Sequence, residues 1–197
     1  MKGKMRVLVA MGLLSLSTTS AWSVISIPNG WYIEGNVGST KAHDKSYPGK
    51  ASTSGTGGNV DIGYKFMPYF GMELGYTRYA NTIIKDGFGN KAGRDMHDDY
   101  DFVGKAMLPI VDSGFEAFAK LGVHRLLSRV RITDQGVANS IGLGAGRHTT
   151  TGIYMAVGGQ YSFIPDLGVN IQWARAKGNN HTATMDLVSV GLTFIFG

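Results

Sequence analysis

The sequence predicts an all-β fold, an eight-stranded antiparallel up-and-down transmembrane β-barrel that follows an N-terminal signal peptide. Apolar and polar residues alternate with a period of two over long arms. Each arm has about ten residues, close to the 9–11 that a tilted strand needs to cross a bilayer. The connections between the arms are alternately long and short. No segment has the 18 consecutive apolar residues of a transmembrane helix, so a membrane role would have to rest on strands.

The chain begins with the pattern of a secretory signal. Lys2, Lys4 and Arg6 precede an apolar run of eight residues, and small or hydroxyl residues follow. The run is too short to span a membrane as a helix, so residues 1–23 are predicted to be removed, leaving a barrel domain at 24–197. Removal takes three of the 19 basic residues and leaves 14 acidic ones, a net charge of +2. This small charge argues against a nucleic-acid partner.

The first predicted strand, residues 30–41, is followed by a polar loop at 42–56. The hairpin 57–78 contains the second and third strands. Pro68 lies at its turn, where the fixed φ of proline fits and its missing N–H breaks no ladder bond. A second polar loop, 81–95, comes next. The other five strands alternate in the same way, at 97–108, 115–125, 150–163, 167–176 and 184–196.

The remaining connections continue the alternation of loop length. Those at 109–114 and 164–166 are short, whereas those at 126–147 and 177–183 are long. Because neighbouring strands run antiparallel, all short turns lie at one end of the sheet and all long loops at the other. This asymmetry is typical of outer-membrane barrels. An even number of strands also allows the sheet to close and lose its edges.

One face of the predicted strands is apolar and the other combines acidic with basic residues. Charges that face lipid are costly, about 2–4 kcal/mol for a Lys or Arg at the membrane midplane. We therefore predict that the charged face lines the interior. A secreted, lipocalin-like barrel that binds a ligand, with apolar residues inside, is the alternative. The predicted interior charge network consists of Glu34, Asp61, Lys65, Glu73, Asp99, Asp101, Lys105, Glu116 and Lys120.

The last strand carries a specific pattern. Ser189, Gly191, Phe194 and Phe196 resemble the polar-x-Gly-x-x-hydrophobic-x-aromatic signal by which bacterial outer-membrane barrels are recognised for assembly. With NGWYIEGNVG at the first strand and GYKFMPYFGMELGYTR at the hairpin, the chain resembles the OmpA-like eight-stranded outer-membrane β-barrel family along its whole length. The resemblance implies a monomer in the outer membrane of a Gram-negative bacterium. The implied partners are outer-membrane lipids, lipopolysaccharide and the barrel assembly machinery.

An enzyme that modifies lipid A is the second alternative, because small barrels of this kind combine a hydroxyl nucleophile with a histidine. The nearest candidate pairs are His124 with Ser128 and His148 with Thr150. Neither pair fits the deacylase arrangement His-x-Ser-Asn, and no catalytic residue is predicted.

No cofactor or metal ligand is predicted either. The sequence contains no cysteine, which excludes disulfides and thiolate metal sites. Most histidines are interpreted as solvated, and the acidic cluster Asp95, His97, Asp98, Asp99 and Asp101 as a solvated patch rather than a cation site.

The predicted function is a structural or surface-interaction role, in membrane integrity, adhesion or host contact, carried by four extracellular loops. Eight strands leave an interior that side chains fill, so a large open pore is not expected. A further group of basic residues is expected near or above the outer leaflet, either contacting lipopolysaccharide phosphates or as scattered solvated charge: Lys85, Lys91, Arg94, Arg125, Arg129, Arg131 and Arg147.

Overall fold

The computed structural model describes residues 29–110 and 113–196, and within them eight long strands close into an antiparallel barrel. The predicted signal peptide, residues 1–23, lies outside the described residues. In chain order the elements are β1 (Gly30–His43), β2 (Lys50–Ser52), β3 (Ser54–Met67), β4 (Phe70–Arg78), β5 (Thr82–Lys85), β6 (Lys91–Ile110), β7 (Phe115–Ile132), α1 (Gln135–Ile141), β8 (Gly146–Ile164), β9 (Leu167–Ala176) and β10 (Thr184–Phe196).

The barrel closes because the first and last strands pair. β1 runs antiparallel to β10, with Trp31 opposite Phe196, and also pairs with β3. The other barrel strands pair in chain order from β3 through β4, β6, β7, β8 and β9 to β10. Closure gives each of the eight barrel strands a hydrogen-bonded neighbour on both sides, whereas an open sheet would leave two edge strands unpaired.

Two of the predicted polar loops contain short strands, which corrects the sequence interpretation. β5 lies in the predicted loop 81–95 and pairs with the first residues of β6, and β2 lies in the loop 42–56 and pairs with β5. The two strands therefore extend the sheet beyond the rim. Ile84 of β5 is fully buried, and its packing stabilises the strand. The glycines and polar residues around it gave the segment the sequence pattern of a loop.

The outward face of the barrel is apolar and the inward face polar. Leu121, Val190 and Leu74 point outward and are 64%, 56% and 59% exposed, whereas Glu34 and Lys105 point inward and are at most 2% exposed. A water-soluble barrel would show the opposite distribution. The lipocalin-like alternative is therefore wrong, and the exposed apolar side chains form a band around the barrel as in membrane barrels.

The strands differ greatly in length. β6, β7 and β8 have 20, 18 and 19 residues, while β4 and β9 have 9 and 10. Because about ten residues suffice to cross the bilayer, the three long strands continue past the apolar band at the end where the long loops lie. We call this the long-loop end, and the opposite one the short-turn end.

The described part of the chain contains one helix, α1, in the long connection between β7 and β8. Asp134 caps it by accepting a hydrogen bond from the backbone N–H of Val137, and Gly142 ends it at a φ of 70°. No helix within residues 29–110 and 113–196 is long and apolar enough to span a bilayer.

Candidate functional site

The centre of the bore contains two lysines held between two glutamates. Lys120 Nζ lies 2.7 Å from Glu73 Oε2 and 3.1 Å from Glu34 Oε1. Lys105 Nζ lies 3.0 Å from Glu34 Oε2 and 2.9 Å from Glu73 Oε1. Each carboxylate therefore contacts both ammonium groups. Such mutual contact compensates the buried charges, which would be very costly if unpaired.

Neutral side chains complete this centre. Tyr32 OH donates a hydrogen bond to Glu73 Oε1 at 2.8 Å, and Asn59 Nδ2 donates to Asp61 Oδ2 at 2.7 Å. Asp61 Oδ2 also lies 3.1 Å from Lys120 Nζ. The additional donors make the centre a connected polar network rather than isolated ion pairs.

The other charged residues predicted for the interior lie in separate contacts. Lys65 Nζ lies 2.9 Å from Glu116 Oε2, nearer the short-turn end. Asp99 Oδ1 lies 2.7 Å from His124 Nδ1, nearer the long-loop end. Asp101 forms no ion pair with any residue that the structure describes. The structure thus gathers five of the nine residues into one cluster, and all nine are at most 6% exposed.

The bore is filled by these side chains. A cavity of about 10 Å³ remains between Tyr32, Lys65, Lys105 and Glu116, which is room for at most one water molecule. A depression of about 950 Å³ is lined mainly by outward-facing residues such as Val37, and so it faces the surroundings of the barrel. The described interior therefore offers no passage for a large solute.

The two candidate nucleophile and base pairs are not joined by hydrogen bonds. Ser128 Oγ donates to Asp95 Oδ1 at 2.7 Å, while His124 contacts Asp99 instead. The hydroxyl groups of Thr150 and Thr182 are hydrogen-bonded at 3.0 Å. Nucleophilic catalysis requires the base within hydrogen-bond reach of the nucleophile, and neither pair meets this condition here.

The expectation that the acidic cluster is a solvated patch is wrong. In the acidic cluster, Asp95, His97 and Asp99 are fully buried, and Asp98 and Asp101 are 7% and 6% exposed. His124 is also buried. These residues are enclosed because β6 and β7 continue beyond the band and loops fold over them. His43, His148 and His181 are at least partly exposed, as predicted for most histidines. Within residues 29–110 and 113–196, no three His, Cys, Asp or Glu side chains converge on a possible metal position.

At the long-loop end, three loops share a small apolar core. It consists of Ile84 from β5, Ala92 from β6, Ala138 from α1 and Leu143 from the loop after α1, with Tyr47 packed against them. We call these residues the cap core. Because the cap core lies outside the barrel interior and joins segments far apart in sequence, it orders loops that the sequence alone suggested to be irregular.

A buried polar cluster fastens the first long loop to the barrel. Lys45 Nζ lies 2.6 Å from Asp95 Oδ2 and donates to Ser128 Oγ at 3.0 Å, while Tyr47 OH donates to Asp95 Oδ2 at 3.0 Å. Burial alone raises the pKa of Asp95, but the neighbouring His97 ring and the Lys45 ammonium outweigh it. The pKa of Asp95 therefore lies well below its usual value, and its carboxylate stays ionised.

Sequence reasoning missed the residues of the cap. Lys45 and Tyr47 lie in a stretch rich in Gly, Ser and Lys that has no periodicity. The β-branched pair Ile83 and Ile84 was the available signal for a strand in the second loop. Nothing in the sequence indicated that Lys45 would reach Asp95, 50 residues away.

The residues of the predicted assembly signal all lie in β10. Ser189 points inward and is buried, whereas Phe194 and Phe196 point outward and are 49% and 45% exposed. Their rings stack with centroids 6.1 Å apart. Gly191 lies on the inward face, where a Cβ would come within 2.0 Å of Asn36 Oδ1. The same Cβ would lie 2.3 Å from the backbone oxygen of Gly35, so the close approach of β1 requires glycine there.

Comparison with protein families gives a match over nearly the whole chain. Residues 7–196 match the family described as the outer membrane protein beta-barrel domain. An uncharacterized protein of Coxiella burnetii is 27% identical over 183 residues, covering 78% of this chain and 73% of the relative.

Solved structures share the fold at low sequence identity. Ail, the attachment invasion locus protein of Yersinia pestis, matches with a TM-score of 0.59 at 12% identity, over 86% of this chain and all of Ail. Neisserial surface protein A matches with a TM-score of 0.59 at 15% identity, over 85% and 97% of the chains. OprG of Pseudomonas aeruginosa gives 0.56 at 14% identity, over 85% and 97%.

Proposed function

The chain belongs to the outer membrane protein beta-barrel domain family, and from this premise we propose that it is a non-catalytic surface protein whose ordered cap contacts an anionic partner outside the cell. It is an OmpA-like eight-stranded barrel in the outer membrane of a Gram-negative bacterium. By the topology of such barrels, the long-loop end is extracellular and the short-turn end periplasmic.

The observation that carries the proposal is a row of lysines on the cap. Lys50 lies opposite Lys85 in the pairing of β2 with β5, and Lys85 lies opposite Lys91 in the pairing of β5 with β6. All three are exposed. Like charges placed opposite one another destabilise a sheet, and an anionic ligand would offset that cost.

The rest of the molecule supports a role in contact rather than transport. The filled bore leaves no route for a large solute, and the cap core holds the lysine row in a fixed arrangement. Preorganisation of this kind lowers the entropic cost of binding. Ail, which shares the fold, has been solved in complex with the heparin analogue sucrose octasulfate. We therefore propose a sulfated or otherwise anionic polysaccharide as the class of partner.

Three further assignments belong to the same proposal. Residues 1–23 act as a signal peptide that directs export, with 24–197 forming the barrel domain. Ser189, Gly191, Phe194 and Phe196 form the signal read by the barrel assembly machinery. The protein acts as a monomer, since closure gives each of the eight barrel strands a paired neighbour on both sides and so removes the open barrel edge to which a second copy could add a strand.

The test compares two double variants in bilayer vesicles. Lys85→Gln with Lys91→Gln removes two charges from the row, and Lys41→Gln with Lys177→Gln removes two exposed lysines elsewhere at the long-loop end. We expect the first variant to lose most of the salt-dependent binding to immobilised heparin and the second to retain it. Equal loss in both variants would show non-specific charge attraction and would contradict the proposal. Uptake of sugars by the same vesicles would contradict the closed bore.

A further inference from the structure

One large apolar side chain lies away from both the barrel and the membrane. Phe88 is 95% exposed, the highest value for any large apolar residue among 29–110 and 113–196. It lies in the turn between β5 and β6. On β6, Tyr100 is the last strongly exposed apolar residue of the outward face. With a rise of about 3.3 Å per residue and a tilt of about 40°, the turn begins about 20 Å above Tyr100. The ring therefore cannot lie in the hydrocarbon of its own membrane.

The turn that carries Phe88 is held by its own hydrogen bonds. Asp86 Oδ1 accepts from the backbone N–H groups of Phe88 and Asn90 at 2.9 and 2.8 Å, and Asp86 Oδ2 accepts from Asn90 Nδ2 at 2.9 Å. The backbone N–H of Asp86 donates to the carbonyl of Asn90 at 2.9 Å. Just before the turn, Ile84 is buried in the cap core. The backbone position of the ring is therefore fixed before a partner binds, which lowers the entropic cost of contact.

Two lysines flank the exposed ring. Lys85 and Lys91 lie opposite each other where the turn leaves the two strands. Each is three residues from Phe88, so each lysine Cα lies within about 10 Å of the Phe88 Cα. Asp86 is the acidic residue of this turn, but it is only 7% exposed and both of its carboxylate oxygens accept hydrogen bonds within the turn. The charge presented around the ring is therefore positive. We call Lys85, Phe88 and Lys91 the tip site.

We propose that Phe88 stacks against a sugar ring of the anionic polysaccharide whose charges the lysine row binds. This contact rests on the proposed function, to which it adds a component that carries no charge. One face of a pyranose is lined by C–H groups, whose hydrogens carry a slight positive charge, and the face of an aromatic ring is slightly negative. The two flat surfaces are therefore complementary in shape and in charge.

The combination of a ring with two lysines favours a charged sugar over a simple polyanion. Anionic groups at the edge of a stacked sugar would lie beside the phenyl ring, within reach of Lys85 and Lys91. The phenyl ring gains free energy when its apolar surface is removed from water, and an inorganic anion offers no apolar surface to cover it. The tip site thus fits one anionic pyranose unit, with its C–H face on Phe88 and its charges on the lysines.

The experiment measures binding of heparin to the full chain in phosphatidylcholine vesicles at several salt concentrations. Phe88→Ala should weaken binding about fivefold at every salt concentration, because the lost contact carries no charge. Lys85→Gln with Lys91→Gln should instead flatten the dependence of affinity on salt, because fewer counterions are released on binding. Since the Phe88 ring is almost fully exposed, its replacement should leave the heat-dependent mobility of the barrel on gels unchanged.

Two matched variants and a second probe test the stacking itself. Phe88→Tyr keeps an aromatic face and should bind heparin as the wild type does. Phe88→Leu keeps an apolar side chain without that face and should bind as weakly as Phe88→Ala. Polyphosphate supplies a polyanion without sugar rings, and the wild type and Phe88→Ala should bind it equally.

The stacking is overturned if Phe88→Ala binds heparin as tightly as the wild type while the lysine variant still loses its salt dependence. That result would leave the proposed function intact. Full binding by Phe88→Leu would show a general apolar contact, and an equal loss of polyphosphate binding in Phe88→Ala would show an effect on the lysines. Either result would also overturn it. Absence of heparin binding by the wild type would overturn both the stacking and the proposed function.

Discussion

Lys45 Nζ lies 2.6 Å from Asp95 Oδ2, and this contact joins the first long loop to β6 across 50 residues of sequence. The lysine side chain is 9% exposed and the aspartate fully buried. An ion pair at this depth is little screened by salt. Asp95 also accepts hydrogen bonds from the hydroxyl groups of Tyr47 and Ser128. The loop is therefore bound to the barrel by a polar contact as well as by the cap core.

Replacing Lys45 with Met should release this loop. Asp95 would keep its neutral donors but lose the ammonium, at a cost of about 2 kcal/mol for a hydrogen bond to a charged group. Hydrogen exchange of the amides in residues 44–53 should accelerate accordingly, while the transmembrane strands remain protected. Lys41→Met, an exposed lysine on β1, is the control and should have little effect. Unchanged exchange in the Lys45 variant would show that the cap core alone holds the loop.

Acid should weaken the same attachment. The pKa of Asp95 in the folded protein lies below its unfolded value, so its contribution is fully present above about pH 4 and is lost as the pH falls below that. The protection of the amides in residues 44–53 from hydrogen exchange should therefore decrease as the pH falls below about 4. Asp95→Asn removes the titrating group, and in this variant the protection of residues 44–53 should not decrease further at low pH. Identical pH profiles for the two proteins would exclude Asp95 as the cause.

The pair of Lys65 and Glu116 allows a clean measurement of a charge inside the barrel. Glu116→Ala leaves the buried ammonium unpaired, and we expect the free energy of unfolding in urea to fall by about 3 kcal/mol. Lys65→Met should cost a similar amount. The double variant should cost clearly less than the sum, because neither charge remains uncompensated. If unfolding of the Glu116 variant were unchanged, the inward placement of that side chain in β7 would be wrong.

Gly63 provides space for a ring inside the bore. A Cβ at this position would lie 2.4 Å from Tyr32 Cζ, so Gly63→Ala must displace the ring and break its hydrogen bond to Glu73. We expect a loss of about 1–3 kcal/mol in unfolding free energy, as for other overpacked sites. Gly35 is the matched control, because a Cβ there meets no atom within 4 Å. Similar results for both alanine variants would show that backbone propensity dominates over the ring contact.

Alternation of residues and of loop lengths was sufficient to predict the barrel. A period of two assigns the residues of each strand to two faces, which is why residues as distant as Glu34 and Glu116 could be assigned to one face. The cost of charges in lipid then identified that face as the interior. The closed eight-stranded fold is confirmed by the family and structural comparisons.

The contacts inside the bore could not be predicted in the same way. Whether Lys120 reaches Glu34, 86 residues away, depends on the tilt and stagger of the strands, which alternation does not specify. The cap was missed for a different reason. Its strands are three and four residues long, too short for a period to be visible, and their stability depends on packing against β6 and α1.

Because the strands differ in length, the height of the barrel wall differs around its circumference. On the side of β6, β7 and β8 the wall rises well above the membrane, whereas on the side of β9 and β10 the rim stays low and is joined by the loop 177–183. A protein that diffuses in the plane of the membrane would contact a high wall if it approached from the side of β6, β7 and β8. From the side of β9 and β10 it would contact only a low rim. A complex that holds the barrel in one orientation would therefore also fix the direction, in the plane of the membrane, in which the cap is presented.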